Sequence, residues 1–134
     1  MKWLTKILEK ARQKQHLTNR NSGKPFDEIY NDPGVFKYDN EGFFIVYEDI
    51  TITAKWSEIT QINVYKVDLL TVDRIDMEIV YDDKCFSISE ELPGWYQFVI
   101  KTKEIFPSIL KEWDSDVMFP AFATNYTTIF NRAI

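Results

Sequence analysis

Residues 75–81, Ile-Asp-Met-Glu-Ile-Val-Tyr, alternate almost perfectly, with Ile75, Met77, Ile79 and Tyr81 on one side and Arg74, Asp76, Glu78 and Asp82 on the other. A period of two belongs to an extended strand, so this run commits the chain to a sheet with one face expected dry and one wet. Asp82-Asp83 has turn chemistry, and Lys84–Ser89 returns with Phe86 and Ile88 in phase. The period then changes. Leu92, Trp95, Tyr96, Val99 and Phe106, widened by Phe98, Ile105 and Ile109, predict an amphipathic helix over 92–106. Pro93 fits a first helical turn, with Glu90 and Glu91 near the positive end of the dipole, and Pro107 ends the helix.

The same reading extends upstream, so that residues 35–91 form a β-meander. Phe26–Tyr30 predicts a short helical turn before the turn-forming Asn31-Asp32-Pro33-Gly34, and Val35–Tyr38 a first strand. Phe43–Tyr47 answers it across Asp39–Gly42. Five apolar residues in a row predict a central strand covered on both sides for part of its length. Ile50, Ile52, Ala54 and Trp56 alternate with Thr51, Thr53, Lys55 and Ser57. In Ile59–Leu69 the phase slips between Ile62/Val64 and Tyr65/Val67/Leu69, as a β-bulge would produce. Lys66 interrupts this strand and is expected to pair at the surface with Asp68 or Asp73, while Asp68, Thr71 and Asp73 flank a turn.

At the ends, Trp3, Leu4, Ile7, Leu8 and Ala11 predict an N-terminal amphipathic helix within residues 1–18, with His16 a solvated charge at its end. Residues 107–134 hold Trp113, Phe119, Phe122, Tyr126 and Phe130, and predict an extended aromatic tail packed on the domain or a partner. With 134 residues and 45% hydrophobic content, one domain over 1–134 is expected. Its class is α+β: an N-terminal helix, then a strongly bent antiparallel β-sheet or partly open barrel, closed by a helix.

Chemistry is sparse. One histidine and one cysteine, Cys85, leave no set for a histidine-based triad, a disulfide or a multi-thiolate zinc site. No phosphate-binding glycine loop or nucleophile elbow is present. The carboxylates Asp68, Asp73, Asp76, Glu78, Asp82, Asp83, Glu90 and Glu91 could in principle serve an acid–base enzyme, but the solvated face of a strand carries charge anyway. They also lack the spacing of a calcium loop. No catalytic residue, cofactor or metal is therefore expected, and the protein is read as not an enzyme.

The net charge of −5 divides unevenly: residues 1–24 carry +6, which leaves −11 for the rest. Phosphate contacts need lysine and arginine on the binding face, so nucleic acid is not an expected partner. An acidic body suits a basic protein partner. The expected contact patch is Asp76, Glu78, Asp82 and Asp83, on one exposed strand face and its turn. The alternative is a peripheral membrane or lipid-binding module docking through Lys2, Trp3, Lys6, Lys10 and Lys14. With no spanning run and no secretory signal pattern, a cytoplasmic location is expected.

Trp56-Ser57-Glu58-Ile59, Tyr65–Asp73, Ile88-Ser89-Glu90-Glu91, Gly94-Trp95, Trp113 and Pro120–Asn125 occur in an order that resembles a family of small bacterial proteins. The likeness runs from about Gly42 to Arg132, with Ala123 standing where that family often has an acidic residue. Strands followed by a closing helix also resemble the pleckstrin-homology-like (PH-like) fold. Small acidic proteins of this kind are similar to immunity proteins that neutralise bacterial toxins. The resemblance implies a binding scaffold and, for a partner, a basic toxin.

Overall fold

The structure, a computed structural model, describes residues 15–17, 24–70, 72–118 and 126–132. After β1 (Gln15–Leu17) and α1 (Phe26–Asn31) come β2 (Phe36–Tyr38), β3 (Gly42–Tyr47) and β4 (Ile50–Lys55). A single 3-10 turn, Trp56–Glu58, leads into β5 (Ile59–Asp68), β6 (Asp73–Tyr81) and β7 (Lys84–Ser89). The helices α2 (Trp95–Ile105) and α3 (Trp113–Met118) follow, and β8 (Thr127–Asn131) comes last. The class is α+β. The strands form two sheets rather than a closed barrel: β2–β3–β4, and a larger sheet in the order β1–β7–β6–β5–β8. Pairing among β2 to β8 is antiparallel, while β1 lies parallel to β7.

The predicted core face of β6 is dry along its whole length. Ile75, Met77, Ile79 and Tyr81 are buried, together with Phe86 and Ile88 of β7 and Ile62 and Val64 of β5. Phe43, on the small sheet, joins the layers: its ring lies 4.9 Å from Trp56, 5.0 Å from Phe98 of α2 and 6.3 Å from Phe86 of β7. Such aromatic contacts add to burial worth about 1.5–3 kcal/mol for each large side chain. Helix α2 thus covers the sheets as expected, with Trp95, Phe98, Val99 and Thr102 inward. Ile105, assigned to that stripe, is exposed. Thr102 takes the inner position, because its hydroxyl donates to the Val99 carbonyl at 2.7 Å and leaves the core no unpaired polar atom there.

Several expectations are corrected. Helix α2 begins at Trp95, not Leu92, since Gly94 is left-handed at φ 95° and a reverse turn precedes it, with the Leu92 N–H on the Ser89 carbonyl. Strand β3 is central in its sheet, but only Phe43 and Ile45 are fully buried and Val46 faces solvent, so one face is wet. The phase slip in β5 occurs earlier than expected. A register shift at Ile59/Gln61 lets Ile62, Val64 and Lys66 share the core face, while pairing with β6 runs unbroken from Gln61 to Asp68. Residues Gln15–Leu17 form a strand beside β7, so the segment assigned to a helix through residue 18 does not end as one, and His16 sits in that strand instead of at a helix end. The remainder of that helix, residues 1–14, lies outside the described residues. The tail is not simply extended: it supplies α3 and the edge strand β8.

Two glycines mark where the segment between α1 and β2 crosses the turn before α2. Gly34 and Gly94 both have positive φ, and a Cβ on Gly94 would stand 2.3 Å from the Pro33 carbonyl oxygen. The Val35 N–H donates to the Pro93 carbonyl at 3.2 Å, which holds the backbones together. Gly94→Ala must meet both the left-handed penalty of about 1–2 kcal/mol and a backbone clash. Its urea midpoint should fall by the equivalent of about 2 kcal/mol or more; an unchanged midpoint would show that this crossing is not tight.

Candidate interaction surface

Strand β6 carries the carboxylates singled out in the sequence, and its register decides what each one meets. Asp76 lies opposite Tyr65 on β5 and Ser89 on β7; Glu78 lies opposite Asn63 and Ser87. This second face of the sheet is polar, and its middle is dry. Asp76 is only 2% exposed, and Asn63, Ser87 and Ser89 are buried beside it. Arg74 grips Asp76 with two bonds, Nε to Oδ1 at 2.8 Å and Nη2 to Oδ2 at 3.0 Å. That fork satisfies both carboxylate oxygens, and it is the main cause holding the Arg74 guanidinium above its ordinary pKa. Glu78, half-buried, accepts from Asn63 Nδ2 at 2.9 Å and from the Tyr126 hydroxyl at 3.1 Å. Gln61 and Thr128 in turn donate to Asn63 Oδ1, each at 2.8 Å. The expected exposed patch is therefore corrected: Asp76 is an internal anchor and Glu78 a member of a cross-strand network.

Asp82 and Asp83 are exposed, as the sequence placed them, on the β6–β7 turn with Asp82 at φ 48°. They are joined by a residue that sequence reading assigned to no site. The Asp82 N–H donates to the Glu58 carbonyl at 3.2 Å, which brings the Glu58 side chain beside the turn. A hydrogen bond that the protonated Asp82 carboxyl donates to Glu58 is the main cause raising Asp82 above its ordinary pKa, and desolvation and the negative charges of Glu58 and Asp83 add to it. Glu58 moves the other way, held down by the Lys55 backbone N–H at 2.8 Å and then by Asp82. The two carboxylates thus shift each other in opposite directions at a solvated turn. Nothing in the spacing of Glu58 and Asp82 announces this; the register of β5 against β6 creates it.

Two further ionisable groups, Lys66 and Glu90, are structural. Lys66, expected at the surface, has its side chain fully buried, with Nζ 2.9 Å from the Met118 carbonyl oxygen and 3.5 Å from Asp73. Its partner was one of the two expected, but the pair is internal because β5 keeps its core phase through Lys66. Glu90 does not serve the α2 dipole. Its Oε1 accepts the Ile75 N–H at 2.9 Å, and burial raises its carboxyl pKa. A concavity of about 320 Å³ lies between α3 and β8, lined by Leu110, Trp113, Val117 and Ile129 with Ser108, Asp116, Thr127 and Thr128. Its described lining residues hold no acid–base pair. Among the described residues no group of His, Cys, Asp and Glu is placed to hold a metal, and no helix is long and apolar enough to cross a membrane. Lys2, Trp3, Lys6, Lys10 and Lys14, the alternative docking set, lie outside the described residues.

No protein-family model, curated protein or solved structure matches this chain. The kinship expected from the order of its motifs rests on those residues alone.

Asp76→Ala should cost about 2 kcal/mol or more, because it removes a buried carboxylate that accepts two charge-assisted hydrogen bonds from Arg74. Asp83→Ala, at an exposed turn, should move stability by no more than about 0.5 kcal/mol. Equal urea midpoints for the two variants would show the Arg74–Asp76 fork to be dispensable. Glu90→Gln tests the other buried acid by pH. Its raised pKa means that the folded state favours the protonated form, so its favourable contribution is present at acid pH and lost as pH rises through the folded value. Glutamine keeps the acceptor for Ile75 without the charge. The variant should therefore melt higher than wild type at pH 7 and lose that advantage near pH 4, as followed by thermal unfolding at both pH values.

Proposed function

We propose that this protein is a non-enzymatic binding domain whose acidic surface engages a basic protein, acting as an immunity-type inhibitor that covers the basic site of a bacterial toxin. The observation that carries the reading is the Glu58–Asp82–Asp83 turn, where the Asp82 N–H bond to the Glu58 carbonyl at 3.2 Å gathers three carboxylates at one solvated corner of the sheet. Such a turn is poised to accept a cation. An incoming lysine or arginine would relieve the mutual repulsion of these carboxylates, adding to the charge of Lys84 beside the turn. The net charge of −5 adds a long-range field of the right sign for steering. A sheet flanked by a helix that covers its core is a rigid platform of the kind PH-like domains offer, and that likeness is part of the same proposal.

Stopped-flow association with the product of an adjacent toxin gene, at two ionic strengths, tests it. Wild type should associate fast at low salt and slow markedly as salt rises. The triple variant Glu58→Gln/Asp82→Asn/Asp83→Asn should associate about tenfold more slowly with a flatter salt dependence, since steering acts on the on-rate. Wild-type kinetics in the triple variant would remove this turn from the interface.

A further inference from the structure

Helix α1 carries the residues Phe26 and Tyr30 one turn apart, and both pack on Tyr96 of α2. The three ring centroids stand 5.3 Å (Phe26–Tyr96), 5.9 Å (Tyr30–Tyr96) and 5.9 Å (Phe26–Tyr30) apart. A hydrogen bond from Gln97 Nε2 to the Tyr30 carbonyl at 2.7 Å fixes the helix in this position. If the rings served only to dock α1, they would be covered; instead Phe26 remains 59% exposed and Tyr30 39%. The result is a contiguous aromatic surface held rigid from beneath.

Its electrostatic surroundings are mainly negative, with Lys24, two residues before Phe26, the one described cation on this segment. Asp27 and Glu28 follow Phe26 on the same helix and are exposed, and Asp27 lies three residues before Tyr30, on the adjoining part of the surface. The ion pairs among the described residues engage Glu41, Asp73, Asp76 and Asp114, so neither carboxylate on α1 takes part in one. Glu90 adds negative potential from the α2 side, where it is the second cause, after burial, of the raised Tyr96 hydroxyl pKa. Ring faces carry negative potential of their own. Aromatic faces with exposed carboxylates at their margin attract a flat, weakly hydrated cation better than a compact ammonium, which favours arginine over lysine.

We infer that Phe26, Tyr30 and Tyr96, with Asp27 and Glu28, form a docking platform for arginine side chains of a basic protein partner. This rests on the reading of the protein as a binder of basic proteins and names a second contact region on it, separate from the Glu58–Asp82–Asp83 turn. Guanidinium groups stack on the exposed faces of Phe26 and Tyr30, and the two carboxylates receive their N–H donors. Arginine and aromatic residues are the pairs that most often dominate binding at interface centres.

The test is a heteronuclear NMR titration of the full chain with a capped Gly-Arg-Gly-Arg-Gly peptide, with the citrulline version as the uncharged isostere. The expected result is saturable shifts at residues 26–31 and 96 with the arginine peptide and none with citrulline. Phe26→Leu keeps apolar packing and Asp27→Asn keeps the side-chain volume, so both should fold. Each should weaken binding about two- to fivefold, the range expected for one exposed cation–π or screened charge contact. Shifts confined to Glu58, Asp82 and Asp83 would overturn the platform and leave the basic-partner reading standing. Equal binding of the citrulline peptide would overturn it as well. The absence of shifts anywhere at millimolar peptide would count against both.

Discussion

The structure depends on keeping the apolar face of the five-stranded sheet, and the middle of its polar face around Asp76 and Asn63, away from water. On the Ile75–Tyr81 side, dispersion and hydrophobic burial suffice. On the Asp76–Glu78 side, each removed polar group must find a partner inside the protein or the fold forfeits its hydration. Arg74 answers Asp76 with a bidentate fork, and Asn63 answers Glu78 while Gln61 and Thr128 answer Asn63. These bonds tie β5, β6 and β8 in one register. A one-residue slip would move Asp76 onto the apolar face and Ile75 onto the polar one, so the network specifies the alignment as strongly as the core does. Net stabilisation from such pairs is modest, because desolvation offsets much of the Coulomb gain. Their contribution is to exclude alternatives.

How much of this was legible follows from what a periodicity encodes. Alternation in residues 75–81 told which side chains share a face and identified the core face correctly. It could not tell whether the other face was wet, since that depends on what the rest of the chain lays over it. Asp76 and Glu78 were read as solvated for that reason. The same limit explains Lys66, whose partner Asp73 was foreseen but whose burial was not. Helix α2 was clear because Trp95, Phe98 and Val99 repeat at helical spacing, whereas its start was missed. Pro93 supports a first helical turn equally well, and only the crossing with Pro33 fixes Gly94 as the left-handed residue. Strand β8 has no alternation to betray it. Thr127–Asn131 becomes a strand because β5 offers it an edge, a long-range cause absent from the local sequence. Glu58 was missed as a site residue on the same grounds.

The carboxylates fall into two populations that answer to different physics. Asp73, Asp76 and Glu90 are buried or largely so, each against a specific donor or cation. At such short range in a poorly polarisable setting, mobile ions screen little. Asp27, Glu28, Asp82 and Asp83 are exposed. Their field extends outward and decays over a Debye length of about 8 Å at physiological salt. Ionic strength can therefore weaken attraction of a basic partner while leaving the folded state nearly untouched. A chain that kept all its negative charge on the surface would add self-repulsion without specifying register. One that paired all of it would present no field. This chain does both, because the same residue type is sorted by strand register into an internal set that fixes the sheet and an external set left with net charge.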